Sequence, residues 1–241
     1  MNKFIDIHCH ILPGVDDGAK NIEDSITMCK IAVENGTGAI IATPHVFENN
    51  FEVSITDMKD NVSMLQNELD KRNIDLKIYS GFECHIHENI LELIKNNPEY
   101  TLCGNRKHFL LEFDHLYIPP NFEQLLFSMQ TNGLQPILAH AARNIEIKKN
   151  FDKLSNFVER GLQIQLTAAS ITGYFGWRIK WFAKKLLKNN MVDYIASDAH
   201  SASGRNTDLS KAYKITKKII GEDKANELFI SNPQKIIDEK S

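Results

Sequence analysis

The chain of 241 residues is 42% hydrophobic and 24% charged, enough to bury a sizeable core, and it fits one large α/β domain over residues 1–241 at least as well as two small ones. Its net charge of -3 and pI near 6.3 exclude a global pull toward nucleic acid or an anionic membrane, and no apolar run approaches the roughly 18 residues that cross a bilayer. Cys9, Cys29, Cys84 and Cys103 form no C-x-x-C pair and no apolar or basic leader opens the sequence, so the expectation is a cytoplasmic protein with reduced thiols, no membrane span and no nucleic-acid partner.

Phe4-Ile5-Asp6-Ile7-His8-Cys9-His10 reads as a short buried strand. Residues two apart on a strand point to one side, so His8 and His10 aim together. They make a half-site for a borderline divalent metal, with Asp6 in line behind them to accept a ring N–H. Pro13-Gly14-Val15-Asp16-Asp17-Gly18 is turn chemistry, and Asn21 is the expected N-cap of an amphipathic helix that runs to Gly36. A strand over 38–43 ends in Pro44-His45. The alternation continues with a helix at 54–72, a strand at 76–82, a helix at 88–96, a strand at 108–112, a helix at 121–132 and a strand at 134–139. A helix at 151–160, a strand at 162–166, one long helix at 170–189, a strand at 192–197 and C-terminal helices complete the chain.

Seven apolar strands alternating with helices predict parallel β/α units. A barrel is expected over an open sheet, because no glycine-rich nucleotide loop follows the first strand and because of where the polar residues fall. Just past the strands stand His8 and His10, His45, Glu83, Glu112, His140, then Asp198 and His200. Taken singly, His45 and His140 read equally as N-caps or core histidines, and Glu83 and Glu112 as solvated loop acids. At one shared topological position they read as a pocket, since the C-terminal strand ends of a β/α barrel converge on one face. Asp17 adds a carboxylate, although beside Gly18 it also suits a turn. So many donors exceed what one tetrahedral ion needs, which implies two or three ions of a metal such as Mn, Fe or Zn.

His8-Cys9-His10, Pro13 to Gly18, Thr43-Pro44-His45, Gly81-Phe82-Glu83, His140-Ala141-Ala142-Arg143 and Ser197-Asp198-Ala199-His200 with Gly204-Arg205 together resemble the motif series of the polymerase-and-histidinol-phosphatase (PHP) superfamily. Across the whole chain the series is similar in particular to the bacterial manganese-dependent tyrosine-protein phosphatases of capsule and exopolysaccharide clusters. The resemblance implies a distorted β/α barrel of seven strands, TIM-like, around a trinuclear centre, with Mn2+ as the expected metal and Fe or Zn as the others that suit the donors. It implies that His8 and His10 bind one ion, bridged by Glu83 to a second, with Asp198 contributing. Glu112 and His140 complete the second site, and Asp17, His45 and His200 hold the third. Ala142 and Val46-Phe47 depart from what relatives often carry and bear on how substrate is gripped.

In such a site clustered divalent ions generate a hydroxide nucleophile near pH 7 and neutralise a phosphoryl group. Arg143 and Arg205 are the expected phosphate clamps, because a guanidinium fork matches two phosphate oxygens; read without the motif series they are surface arginines near strand ends. Asp198 or His200 is the expected proton donor to the leaving group. No cysteine has arginine six positions on, which argues against a thiolate phosphatase. His85 and His87 alternate with Glu83 but are expected to run beyond the strand into solvated positions. Tyr174 to Phe182, followed by Lys184, Lys185 and Lys188, reads as a helix packed on the barrel through Ile179, Phe182, Leu186 and Leu187. Its tryptophans are left for a contact between copies of the chain, as in a homo-oligomer, or with a partner. The expected function is hydrolysis of phosphotyrosine, by resemblance on the tyrosine-rich tail of a bacterial kinase governing polysaccharide export. Alternatives are a small-molecule phosphatase such as a histidinol-phosphate phosphatase, a nuclease, and a metal-stabilised binding module.

Overall fold

The computed structural model describes residues 3–47 and 53–239. All seven expected strands form, and two are broken in the middle. The second runs as β1's neighbour β2 (Thr37–Ala42), pauses at Thr43-Pro44, and resumes as β3 (His45–Val46); β1 itself is Phe4–Cys9. Proline has no N–H to give a ladder, so a pause is what the sequence dictates there. The third runs as β4 (Lys77–Ser80), pauses at Gly81-Phe82, and resumes as β5 (Glu83–His85). A Cβ at Gly81 would stand 2.9 Å from both Ile41 and Leu102, so any side chain there would have to push them aside. The remaining strands are β6 (His108–Glu112), β7 (Gln135–Leu138), β8 (Gln163–Thr167) and β9 (Tyr194–Ala196).

Every strand pair is parallel, in the orders β1-β2-β4 and β3-β5-β6-β7-β8-β9. The ring closes just past β9. Asp198 N donates to His8 O at 2.8 Å, His10 N to Ala199 O at 2.9 Å, and Ser197 N to the Asp6 carboxylate at 2.9 Å. The result is the expected distorted seven-stranded β/α barrel.

Helices cover the outside: α1 (Ile22–Glu34), α2 (Ile55–Lys71), α3 (Ile90–Asn96), α4 (Phe122–Thr131), α5 (Ile145–Lys149), α6 (Phe151–Glu159), α7 (Ala168–Thr172), α8 (Trp177–Lys188), α9 (Ser210–Ile220), α10 (Glu222–Asn226) and α11 (Asn232–Asp238). Asn21 caps α1 as expected, its side chain accepting from Glu23 N and Asp24 N. The single helix expected over 170–189 is instead two. Gly173 at φ 98° ends α7 and Gly176 at φ 92° precedes α8, conformations that only glycine takes without strain. Phe182, Ala183, Leu186 and Leu187 of α8 are buried against the barrel, with Ile179 packed at the edge, while Trp177 and Trp181 face outward.

One apolar cluster lies between strands and helices. A second, built from Ile5, Ile7, Ile41, Leu110, Ile137 and Tyr194, takes residues from successive strands and fills the barrel beneath the strand ends. Above Ile5 and Ile7, a register shift between Asp6 and Cys9 marks a β-bulge in β1. A bulge reverses which residues face inward, and here it hands the interior from Ile7 to His8 and His10.

Candidate metal centre

The expected ligands converge around Glu83, which is 1% exposed at the start of β5. Its Oε2 lies 3.1 Å from His8 Nε2, 3.2 Å from His10 Nε2 and 3.3 Å from His45 Nδ1, while its Oε1 lies 2.9 Å from His140 Nε2. Glu112, at the end of β6, reaches His140 Nε2 at 3.2 Å and His45 Nδ1 at 3.5 Å. Asp198 Oδ1 stands 3.7 Å from His8 Nε2 and 3.8 Å from His10 Nε2. Asp17 Oδ1 is 3.2 Å from His200 Nε2 and 3.6 Å from His45 Nε2. The expected nine donors, five histidines and four carboxylates, thus come from one cluster of strand ends.

Hydrogen bonds fix which ring nitrogen faces the cluster. His10 Nδ1 meets Asp16 Oδ2 at 2.6 Å, His200 Nδ1 meets the Asp198 carbonyl at 3.1 Å, and His8 Nδ1 faces Gln165 Oε1 at 3.4 Å. Each partner is an acceptor, so each Nδ1 is the donor in its pair and each Nε2 is the nitrogen that faces the cluster. Asp6 does not play the expected part. The bulge puts it on the other side of β1, where its Oδ1 accepts from the backbone N–H groups of Ser197 and His8, and burial pushes its carboxyl up to about 6. The ring partner of His10 is Asp16, half of the Asp16-Asp17 pair that the sequence displays. Gln165 carried no such signal: the strand without an expected ligand supplies it, and it also accepts from His140 N at 2.7 Å.

Burial alone would keep Glu83 neutral, but His8, His10 and His140 around it hold its carboxyl well below the usual carboxylate range. Glu112 is lowered in the same way by His140 and His45. In turn, burial disfavours the charged form of His140, yet Glu112 and Glu83 raise it to about 9. His140 and Asp198 adopt left-handed backbone at φ 33° and φ 51°, strain of about 1–3 kcal/mol each that the fold sustains at the pocket.

The pocket above the cluster is a cavity of about 190 Å³ lined by Asp17, His45, Glu83, Glu112, His115, His140, Arg143, Asp198, His200 and Arg205. Arg143 and Arg205 each place a nitrogen on Asp198 Oδ2, at 3.1 and 3.2 Å. His115, which the sequence reading passed over, lies 3.0 Å from Arg143 and groups with Glu112 and His140 at ligand spacing.

Residues 4–238 match the model of a family described as capsular polysaccharide synthesis, CpsB/CapC. The chain belongs to the CpsB/CapC family. It is 35% identical over 220 residues, 91% of this chain and 86% of the relative, to the tyrosine-protein phosphatase YwqE of Bacillus subtilis. It is 31% identical over 239 residues, 97% and 98% of the two chains, to the tyrosine-protein phosphatase CpsB of Streptococcus agalactiae. A crystal structure from work on Bacillus subtilis YwqE and Streptococcus pneumoniae CpsB, described as unique metal-dependent tyrosine phosphatases, superimposes with a TM-score of 0.93 at 34% identity, covering 98% of this chain and 95% of that one. The family expected from the motif series is the one found.

Two further expectations resolve within this CpsB/CapC chain. His87 is exposed and accepts from Asn89 N, as expected of a solvated position. His85 does not run beyond the strand: it stays in β5 and its Nδ1 lies 3.5 Å from Glu112 Oε2, because β5 pairs His85 with Glu112 across the sheet. The four cysteines are all buried, and burial pushes the Cys29 thiol up to about 12 and Cys9 and Cys84 above their ordinary value, which disfavours a thiolate at these three at neutral pH. Among the described residues no helix is long and apolar enough to cross a membrane.

Proposed function

We propose that this chain is a metal-dependent protein-tyrosine phosphatase acting in the cytoplasm on a phosphotyrosine protein, the tyrosine-rich tail of a bacterial kinase in capsule or exopolysaccharide synthesis. The observation that carries the reading is the convergence of nine metal-competent side chains and two arginines on one small pocket. The donors fit divalent cations on their own chemistry. Four carboxylates and five imidazoles crowd within contact distance, no hydrogen bond of ordinary geometry reaches the buried Glu83 Oε2 or Glu112 Oε2, and protons on histidines are the protein's own means of balancing the charge.

His8, His10, Glu83 and Asp198 would hold one ion, Glu83, Glu112 and His140 a second, and Asp17, His45 and His200 a third. Mn2+ is the metal the family resemblance favours, with Fe or Zn compatible with the same donors. Such ions supply an activated water near neutral pH and positive charge for the phosphoryl oxygens. The chain's own residues do the rest. Arg143 and Arg205, already aimed into the pocket, grip the phosphoryl oxygens bidentately. Asp198, held ionised by His8, His140 and Arg205 against the pull of burial, stays a carboxylate and orients both arginines. That takes Asp198 out as a proton donor, burial also disfavours the charged form of His200, and a phenolate with a conjugate pKa near 10 needs little help to leave.

The test is phosphate release from a phosphotyrosine peptide, a phosphoserine peptide and histidinol phosphate by metal-stripped protein, with and without added Mn2+. Turnover restored by Mn2+ and favouring the phosphotyrosine peptide is expected. Preference for histidinol phosphate would transfer the function to a small-molecule phosphatase, and no turnover with Mn2+, Fe2+ or Zn2+ would leave only a metal-stabilised binding module.

A further inference from the structure

The pocket is built for a phosphoryl group. Its lining is carboxylate, imidazole and guanidinium, so a phenyl ring attached to that phosphate finds no hydrocarbon wall inside it. The chain supplies one beside the pocket's arginines. Tyr174 and Phe175, on the turn that Gly173 and Gly176 shape between α7 and α8, stand edge to face with ring centres 5.3 Å apart. Phe175 lies against the Arg143 guanidinium, 5.0 Å from the ring centre. On the other side the Tyr174 hydroxyl lies so close to Gly204 that a Cβ there would be 3.0 Å away. The aromatic pair therefore reaches from one phosphate-gripping arginine to the neighbour of the other.

Arg205 also lines a second cavity of about 430 Å³, together with Tyr174, Ala168, Ala169, Thr172 and Lys211. The two cavities share Arg205 in their linings, and Tyr174, 60% exposed, stands on the wall of the second. We propose that Tyr174 and Phe175 form a subsite for the aromatic ring of the substrate, from which the peptide carrying that ring continues into the second cavity. The inference rests on the phosphotyrosine reading and deepens it, because it places selection for an aryl phosphate in two named residues. A phosphoserine brings its backbone to the mouth of the pocket with no ring to lay against them.

The test compares kcat and KM of wild type, Tyr174→Ala and Phe175→Leu, all loaded with Mn2+, on phosphotyrosine and phosphoserine peptides of otherwise identical sequence. A lost edge or offset ring contact is worth about 2- to 10-fold in binding. The ratio of kcat/KM for the phosphotyrosine peptide over the phosphoserine peptide is expected to fall by about that factor in each variant, through KM, and Tyr174→Phe is expected to restore it. Ratios that stay at the wild-type value, or equal losses on both peptides, overturn the subsite and reduce Phe175 to a support for Arg143. A wild type with no preference for the phosphotyrosine peptide removes the phosphotyrosine reading itself, and the subsite with it. Should Tyr174→Ala fail to fold, Tyr174→Leu keeps the bulk and gives the same comparison.

Discussion

Gln165 shows how a residue that touches no expected substrate can govern the centre. Its single oxygen takes the backbone N–H of His140 and faces the ring nitrogen of His8, so one amide orients two of the proposed ligands. Partners of this kind are worth about 10- to 100-fold in metal affinity. Gln165→Leu, nearly isosteric and apolar, is expected to lose metal by that order, measured as metal content after dialysis against a graded chelator, with far-UV circular dichroism unchanged. Retained metal at the wild-type chelator concentration would show that His8 and His140 hold their orientation unaided. The convergence of the proposed ligands was readable because each stands after an apolar run. Gln165 was not, because an inward-facing glutamine in a strand looks like any buried polar residue until its neighbours across the barrel are known. Asp6 misled for a related reason: period-two alternation gives the facing of a residue only while the register holds, and the bulge between Asp6 and Cys9 breaks it.

Among the elements, the loop from β1 to α1 is held by close contacts. Gly18 N donates to Asp16 Oδ1 at 2.9 Å, and a Cβ on Gly18 would stand 2.1 Å from the His10 carbonyl oxygen. The loop is thereby pressed onto β1 with Asp16 behind His10 and Asp17 over His200. Gly18→Ala must lift it away. The expected result is a loss of activity of at least about tenfold, as misplacement by an ångström can cost, with the apparent Mn2+ affinity weakened and the barrel still folded. Wild-type Mn2+ activation in this variant would refute the role of the loop. At this scale the period of apolar residues gave all seven strands and most helices. It missed the pauses at Pro44 and Gly81 and the break between α7 and α8, where single residues override the period; the glycines at 173 and 176 were the visible warning. It also missed α5, whose five residues are too few to show a helical repeat.

Over the whole molecule, closure between residues 8–10 and 198–199 joins the two ends of the ring, so the chain is expected to unfold in one cooperative transition as a single domain. The floor of the barrel then sets an acid limit. His108, 6% exposed at the start of β6, is held down to about 4 by burial, with Lys107 adding to it and Glu239 opposing. Between about pH 6.5 and 4 the unfolded chain carries a proton there that the folded chain lacks, so stability rises with pH across that window and falls on acidification. At pH 5 the loss relative to pH 7 is about 2 kcal/mol. Unfolding free energies from urea titration are expected to fall between pH 7 and pH 5 by about 2 kcal/mol more in wild type than in His108→Gln; the same change in both proteins would assign the acid limit to other groups.

The burial of every thiol has a consequence for how such a protein can be watched and challenged. Enzymes that dephosphorylate tyrosine through a thiolate are silenced by alkylating reagents, because the reactive sulfur must meet its substrate. Here Cys9 lies directly between His8 and His10, yet its sulfur faces away from the pocket into the packed layer beneath the helices. Iodoacetamide should therefore leave turnover intact while the barrel is shut, and modification of Cys9 should proceed only as fast as the barrel opens. Labelling would keep time for the fold, and loss of activity would trail it; activity lost ahead of unfolding would mean that a sulfur is reachable in the native state after all.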